Sequence, residues 1–148
     1  MPTDLDTLVG GVALAVVLLA LALFLRERAL RQTHEVPHGF QAQISLPHRA
    51  QWTLYHNPFS LCSKKIRVCL TEYGVDYESV VIDLIETGCY QNISREVLKV
   101  NPAAAVPVVL HKGHPIYESH EQLRYVASMA NDGDLLLPRD TQARQVMD

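Results

Sequence analysis

The chain has 148 residues, enough for one domain of ordinary size. Thirteen Lys and Arg stand against sixteen Asp and Glu, a formal charge of -3, so there is no broad basic field to hold nucleic acid. Three Cys is an odd, sparse count that argues against a disulfide-stapled secreted module.

Mean hydropathy is +0.03 with 20% charged residues, so apolar side chains must be concentrated somewhere. They lie in residues 8–25, LVGGVALAVVLLALALFL, which contain no charge, amide or hydroxyl. As a helix this run spans roughly 27 Å, close to the hydrocarbon thickness of a bilayer. A buried core helix would carry a polar stripe, and this run has none. A cleaved signal peptide wants positive charge in front, whereas Asp4 and Asp6 precede it and Arg26, Arg28 and Arg31 follow. We therefore expect a single transmembrane helix within residues 1–31, anchored in the membrane through residues 8–25. Arginine on its C-terminal side favours a single-pass topology with the rest of the chain facing the cytosol. Asn92-Ile93-Ser94 matches a glycosylation sequon and so reports on topology.

Residues 32–50 hold two Pro, one Gly and three His without a sustained period, which reads as a linker. From residue 51 to 138 the pattern is that of an α/β domain. Trp52-Thr53-Leu54-Tyr55-His56 is a strand with alternating faces, broken by Asn57-Pro58. A helix follows, opened by Ser60 or Cys62, with Ile66, Cys69, Leu70 and Tyr73 on its apolar face and Gly74 ending it. Tyr77 to Ile82 forms a second strand, parallel to the first because a helix connects them. A helix around Ser94 to Leu98 comes next, then Val106-Pro107-Val108-Val109-Leu110 as a strand. A turn at His111-Lys112-Gly113-His114 leads into Pro115-Ile116-Tyr117. Glu118-Ser119 opens a last helix with Leu123, Val126, Ala127 and Ala130 on one face, ended by Asp132-Gly133-Asp134. The order β-α-β-α-β-β-α is thioredoxin-like. His111 and His114 flank a turn, but no Cys or carboxylate completes a ligand set, so no metal is expected.

Four motifs in order carry a family resemblance. They are Asn57-Pro58-Phe59-Ser60-Leu61-Cys62-Ser63-Lys64-Lys65-Ile66-Arg67, Asn101-Pro102, Val106-Pro107 and Glu118-Ser119. Together they resemble the N-terminal domain of glutathione transferases. The likeness is nearest to the zeta class, which includes maleylacetoacetate isomerase, through the Ser-x-Cys-Ser run and Asp83-Leu84-Ile85.

The resemblance implies that glutathione is the cosubstrate and that Ser60 donates a hydrogen bond to its thiolate at a helix N-terminus. Cys62 would assist or form a mixed disulfide. It also implies a cis bond at Val106-Pro107, so that the Val106 backbone pairs with the cysteinyl backbone of glutathione. Glu118 and Ser119 would receive the γ-glutamyl ammonium and carboxylate. Read alone, Ser60 fits a plain N-cap, Cys62 a small core residue, Pro107 a trans edge proline and Ser119 a cap. Ala103-Ala104-Ala105 occupy a place where many relatives carry a Lys or Gln for the glycyl carboxylate, and His120 and Glu121 replace a small or apolar pair.

Two functions follow from the resemblance. One is a membrane-anchored protein that activates the glutathione thiol for transfer to, or isomerisation of, a small electrophile. The other is a non-catalytic adaptor module at the membrane. The resemblance also implies that residues 135–138 are an interdomain link and residues 139–148 the start of a truncated C-terminal helical region, so that an open apolar face would need a homodimer mate, a protein partner or the bilayer. Disulfide exchange through Cys62 lacks a Cys-x-x-Cys partner.

Overall fold

A computed structural model describes residues 4–84 and 90–130, which fall into two compact units divided between Gln32 and Thr33. The first holds one helix, α1 (Asp4–Leu30). Its stretch Thr7–Leu30 is long and apolar enough to cross a membrane, and none of it is buried against protein. The acidic start and Arg28 in the last turn suit the helix dipole. Arg31 Nε pairs with Glu27 Oε1 at 2.8 Å, an exposed contact one turn apart.

The second unit is a five-stranded sheet in the order β1-β5-β4-β2-β3. Its strands are β1 (Gly39–Phe40), β2 (Trp52–His56), β3 (Glu78–Val81), β4 (Val108–His111) and β5 (His114–Tyr117). The helices are α2 (Leu61–Glu72), α3 (Arg95–Val100), preceded by a 3-10 turn at Gln91–Ile93, and α4 (Ser119–Met129). β2 and β3 run parallel, joined through α2, while β4 is antiparallel to both β2 and β5.

Alternation along the strands divides the core in two. Trp52, Leu54, Val109 and Ile116 pack with Ile66, Leu70 and Val126 of α2 and α4. On the opposite face, Val108, Leu110 and Tyr117 pack with Val100 of α3. Tyr117 Oη also donates to Val100 O at 2.8 Å. Both faces are thus covered, and every residue of β4 is buried.

Helix α2 ends in a Schellman arrangement: Val75 N–H donates to Leu70 O, Gly74 N–H to Thr71 O, and Gly74 takes the left-handed φ of 62°. At the β4–β5 turn Lys112 and Gly113 both have positive φ, as a two-residue hairpin requires. A side chain at Gly113 would also meet Leu46 O at 2.5 Å, because residues 44–46 cross directly over this turn.

That crossing corrects the expected linker. Residues 32–50 include a strand rather than a free tether: β1 pairs antiparallel with β5, Gly39 opposite Tyr117 and Phe40 opposite Ile116. Gln41 is buried, and its Nε2 donates to the carbonyls of Pro37, His38 and Gly39. Val36, Ile44 and Leu46 pack against the second core cluster, and Leu46 N–H donates to Gly113 O. The segment is held largely through backbone bonds, and a two-residue strand has no periodicity to detect. Residues 132–134, the link at 135–138, the expected helical start at 139–148 and Cys89 lie outside the described residues.

Far from α2's N-terminus, His111 stacks on Trp52 with centroids 4.0 Å apart and bonds Tyr125 Oη through Nδ1 at 2.8 Å. Burial, with Lys112 and His114 nearby, pushes the His111 pKa down. His56 is likewise lowered, by burial and then by Arg67. Both histidines therefore bind protons more weakly folded than unfolded. As pH falls through the unfolded value of about 6.5 the unfolded chain protonates first, so stability declines from there until the folded groups also titrate. The melting temperature should drop between about pH 7.5 and 5.5, with a shallower slope in His111→Gln. Equal slopes in both proteins would remove His111 from that account.

Candidate functional site

The sheet register gathers motifs that lie far apart in the sequence. Tyr55 near the end of β2 pairs with Val108 at the start of β4, and Val109 pairs with Ile116 near the end of β5. The chain leaving β2 (Asn57–Ser60), the chain entering β4 (Val106-Pro107) and the chain leaving β5 (Glu118-Ser119) therefore share one end of the sheet. Trp52 and the His111–His114 turn occupy the other end.

The first arm is built on Asn57, which is 1% exposed. Its Oδ1 accepts from Phe59 N–H at 2.9 Å and its Nδ2 donates to Ile82 O at 3.0 Å. Its own N–H donates to the Oγ of Ser63, a fully buried residue in the first turn of α2. Its carbonyl accepts from Ser60 N–H at 3.3 Å. This Asx-type turn delivers the chain into α2 with Ser60 as the N-cap.

Ser60 is half-buried, and its Oγ accepts from Ser63 N–H at 3.2 Å. That bond uses a lone pair, so the hydroxyl hydrogen remains available, and among the described residues it is donated to no partner. Capping and donation to an anion are compatible at this atom.

Cys62 lies two residues into α2, half-buried, and no hydrogen bond joins its sulfur to Ser60 among the described residues. Cys69, a turn and more further on, is buried, and burial pushes its thiol pKa up. Among the described residues no group of three His, Cys, Asp or Glu could hold a metal ion.

The second arm enters β4 through a cis Val106–Pro107 bond. Val106 is half-buried and Pro107 buried. Among the described residues, no hydrogen bond engages the N–H or C=O of Val106. The loop before it is shaped by Asn101, whose Nδ2 donates to Ala105 O at 2.8 Å and whose Oδ1 accepts from Ala103 N–H at 3.0 Å. Ala104 has a φ of 57°.

The third arm turns sharply at Glu118, with a φ of 69° and an exposed side chain. Ser119, 8% exposed, is the first residue of α4, so its N–H lies among the unpaired donors of a helix start.

Sequence reasoning passed over three residues that hold these arms: Asn57, Asn101 and Gln122. Asn57-Pro58 was legible as a break, but that the Asn57 amide reaches Ile82 O depends on a strand distant in sequence, whereas Asn101 bonds within its own loop, to Ala105 O and Ala103 N–H. Gln122 is fully buried, and its Nε2 donates to Pro107 O at 2.8 Å and Ile116 O at 2.9 Å.

Residues 59–129 match the family model of the glutathione S-transferase N-terminal domain. Among solved structures, glutathione transferase E6 from Drosophila melanogaster superposes with a TM-score of 0.59 at 32% identity, covering 66% of this chain and 43% of that one. The fold is that of a glutathione transferase N-terminal domain. The glutathione transferase match begins one residue before Ser60 and ends at Met129, so it includes all six candidate site residues. Maleylacetoacetate isomerase from Rattus norvegicus is 36% identical over 94 residues, 64% of this chain and 43% of the relative. Glutathione S-transferase TCHQD from Arabidopsis thaliana is 35% identical over 77 residues, 52% of this chain and 28% of the relative. The chain thus spans less than half the length of these relatives.

Proposed function

We propose that the α/β unit binds glutathione at the sheet end formed by Ser60, Val106-Pro107 and Glu118-Ser119. In this reading it activates the thiol for transfer to, or isomerisation of, a small electrophile. The observation that carries this is the register itself, which brings three separately encoded arms to one end of one sheet. Each arm offers groups suited to one part of an anionic tripeptide. Among the described residues Ser60 O–H is donated to no acceptor, and it can donate to a thiolate, which the start of α2 also favours. Val106 offers an N–H and C=O that are unused among the described residues, for strand-like pairing with the cysteinyl backbone. The exposed carboxylate of Glu118 suits an ammonium, and the hydroxyl and N–H of Ser119 suit a carboxylate.

The thiol proton leaves to solvent as the thiolate forms. In transfer, the thiolate sulfur then bonds to the electrophilic carbon, held close by binding, as that carbon's bond to its leaving group breaks and the group departs with the electron pair. In isomerisation the sulfur adds to a conjugated C=C, the resulting single bond rotates, and the double bond re-forms as the thiolate is expelled. Cys62 is assigned the lesser role of exchange with glutathione disulfide, in which its thiolate attacks one sulfur, a mixed disulfide forms and one glutathione thiolate leaves. Ala103-Ala104-Ala105 supply no charge for the glycyl carboxylate, so affinity should be weak. The test is retention of the full chain on immobilised glutathione, with free glutathione eluting it. Failure to bind would end this reading.

The same proposal places α1 in a membrane as a single-pass anchor with the α/β unit on the cytosolic side. The protein should stay in the pellet after alkaline carbonate extraction, and Asn92 should carry no glycan. A glycan there would reverse the orientation.

A specific observation keeps the adaptor reading as the alternative. Phe59 and Leu61 are each 73% exposed, and an apolar groove between α2 and α4 is lined by Leu61, Val68, Cys69 and Leu123, with Lys64 and Glu72 at its margin. Under that reading a partner covers this groove and glutathione does not bind.

A further inference from the structure

Gln122 stands out among the buried polar side chains because its bonds connect two arms of the proposed site to each other. It lies in the second turn of α4, on the face that also buries Ser119 and Val126. Apolar residues dominate such a face, since a buried amide must recover its desolvation cost through hydrogen bonds. Gln122 does so with both amide hydrogens, one to Pro107 O at 2.8 Å and one to Ile116 O at 2.9 Å. Its backbone N–H donates to Glu118 O at 2.9 Å. One residue thus ties together the chain entering β4, the end of β5 and the corner from which Glu118 and Ser119 project. Its Oε1 is buried and has no hydrogen-bond partner among the described residues. The amide is therefore oriented by its donors alone.

We infer that Gln122 is a positioning residue that fixes the spacing between the Val106 edge and the Glu118-Ser119 corner. Binding of the cysteinyl part of a γ-glutamyl peptide is thereby coupled to binding of its γ-glutamyl part. This rests on the glutathione reading above. An apolar residue of similar volume would fill the same space but lose both bonds, so that beyond the β4–β5 ladder no bond from the Gln122 side chain would hold the spacing between the two arms. The chemistry selects for peptides that carry both an extended cysteinyl backbone and an α-amino acid terminus at a set distance from it. A peptide lacking the γ-glutamyl group engages one arm only and gains nothing from the brace.

The test compares glutathione with cysteinylglycine, which lacks the γ-glutamyl group, by titration calorimetry on the full chain in detergent. Wild type should prefer glutathione, and Gln122→Met should lose about tenfold of that preference while binding of cysteinylglycine changes little. Thermal melting of both proteins without ligand accompanies it. A lowered melting temperature with an unchanged preference would make Gln122 a stabilising residue only and overturn the inference. Should Gln122→Met fail to fold, the wild-type side-chain amide of Gln122 is followed by NMR. Its proton resonances should move on adding glutathione and not on adding cysteinylglycine. Identical responses to the two peptides would overturn the inference. If wild type binds no glutathione at all, the glutathione reading fails first, a result distinct from binding with unaltered selectivity.

Discussion

Ser60→Ala is expected to raise the pKa of the bound glutathione thiol by roughly one to two units. A hydrogen bond to a charged acceptor contributes about 1.5–3 kcal/mol, and each pKa unit corresponds to about 1.4 kcal/mol. The ultraviolet absorbance of bound thiolate near neutral pH should fall accordingly, and any transferase turnover with it. The substitution also removes the N-cap of α2, at about 1 kcal/mol of stability. Ser60→Gly separates the two effects, since glycine in a cap position costs only a few tenths of a kcal/mol yet supplies no hydroxyl. Both variants should show the same thiolate loss while differing in melting temperature. Thiolate absorbance unchanged in both would remove Ser60 from the chemistry and leave it as a cap.

The largest effect on stability is expected from Asn57→Ala. It removes the acceptor of Phe59 N–H and the donor to Ile82 O at a residue that is 1% exposed. Losing the side chain of a buried hub and leaving its partners unpaired costs about 2–4 kcal/mol. The melting temperature of the α/β unit should fall by roughly 10 °C or more. Because the same side chain shapes the approach to Ser60, glutathione affinity should weaken even where the variant remains folded.

Asn57→Asp refines this. It keeps an acceptor for Phe59 but sets a buried carboxylate against Ile82 O, so its folded pKa should rise above the unfolded value of about 3.9. The folded state then holds the proton more tightly. The deficit relative to wild type should therefore be small in acid and grow as pH rises through the folded pKa. A pH-independent deficit would show that the donor to Ile82 O matters less than the turn.

Ser60 and Asn57 differ in how far each could be read in advance. A serine at the head of an amphipathic run fits an N-cap through local chemistry, although the run itself left the start open between Ser60 and Cys62. The Ser-x-Cys-Ser pattern added a resemblance that named its possible partner. Asn57 read only as half of an Asn-Pro break. Its amide spans from the end of β2 to the end of β3, twenty-five residues later, which no local pattern encodes. Gln122 is hidden for a related reason. In sequence it is a polar residue on an otherwise mixed helix, and only its placement under Pro107 and Ile116 turns it into a brace.

Periodicity determined much of the architecture in advance. The apolar run of α1, the alternation in β2, the helical spacing in α2 and α4 and the presence of a hairpin within residues 111–114 all come from interactions between near neighbours in the chain, although the structure shortens that turn to Lys112 and Gly113. Such interactions leave a repeat that can be read without coordinates. Tertiary structure alone decided the rest. The segment carrying β1 adheres to β5 by backbone bonds and by scattered contacts of Val36, Phe40, Gln41, Ile44 and Leu46 that follow no period, so its sequence resembles a loose connection. The convergence of three arms likewise depends on which residue of β4 stands opposite which residue of β2 and β5, a register set by packing on both faces of the sheet.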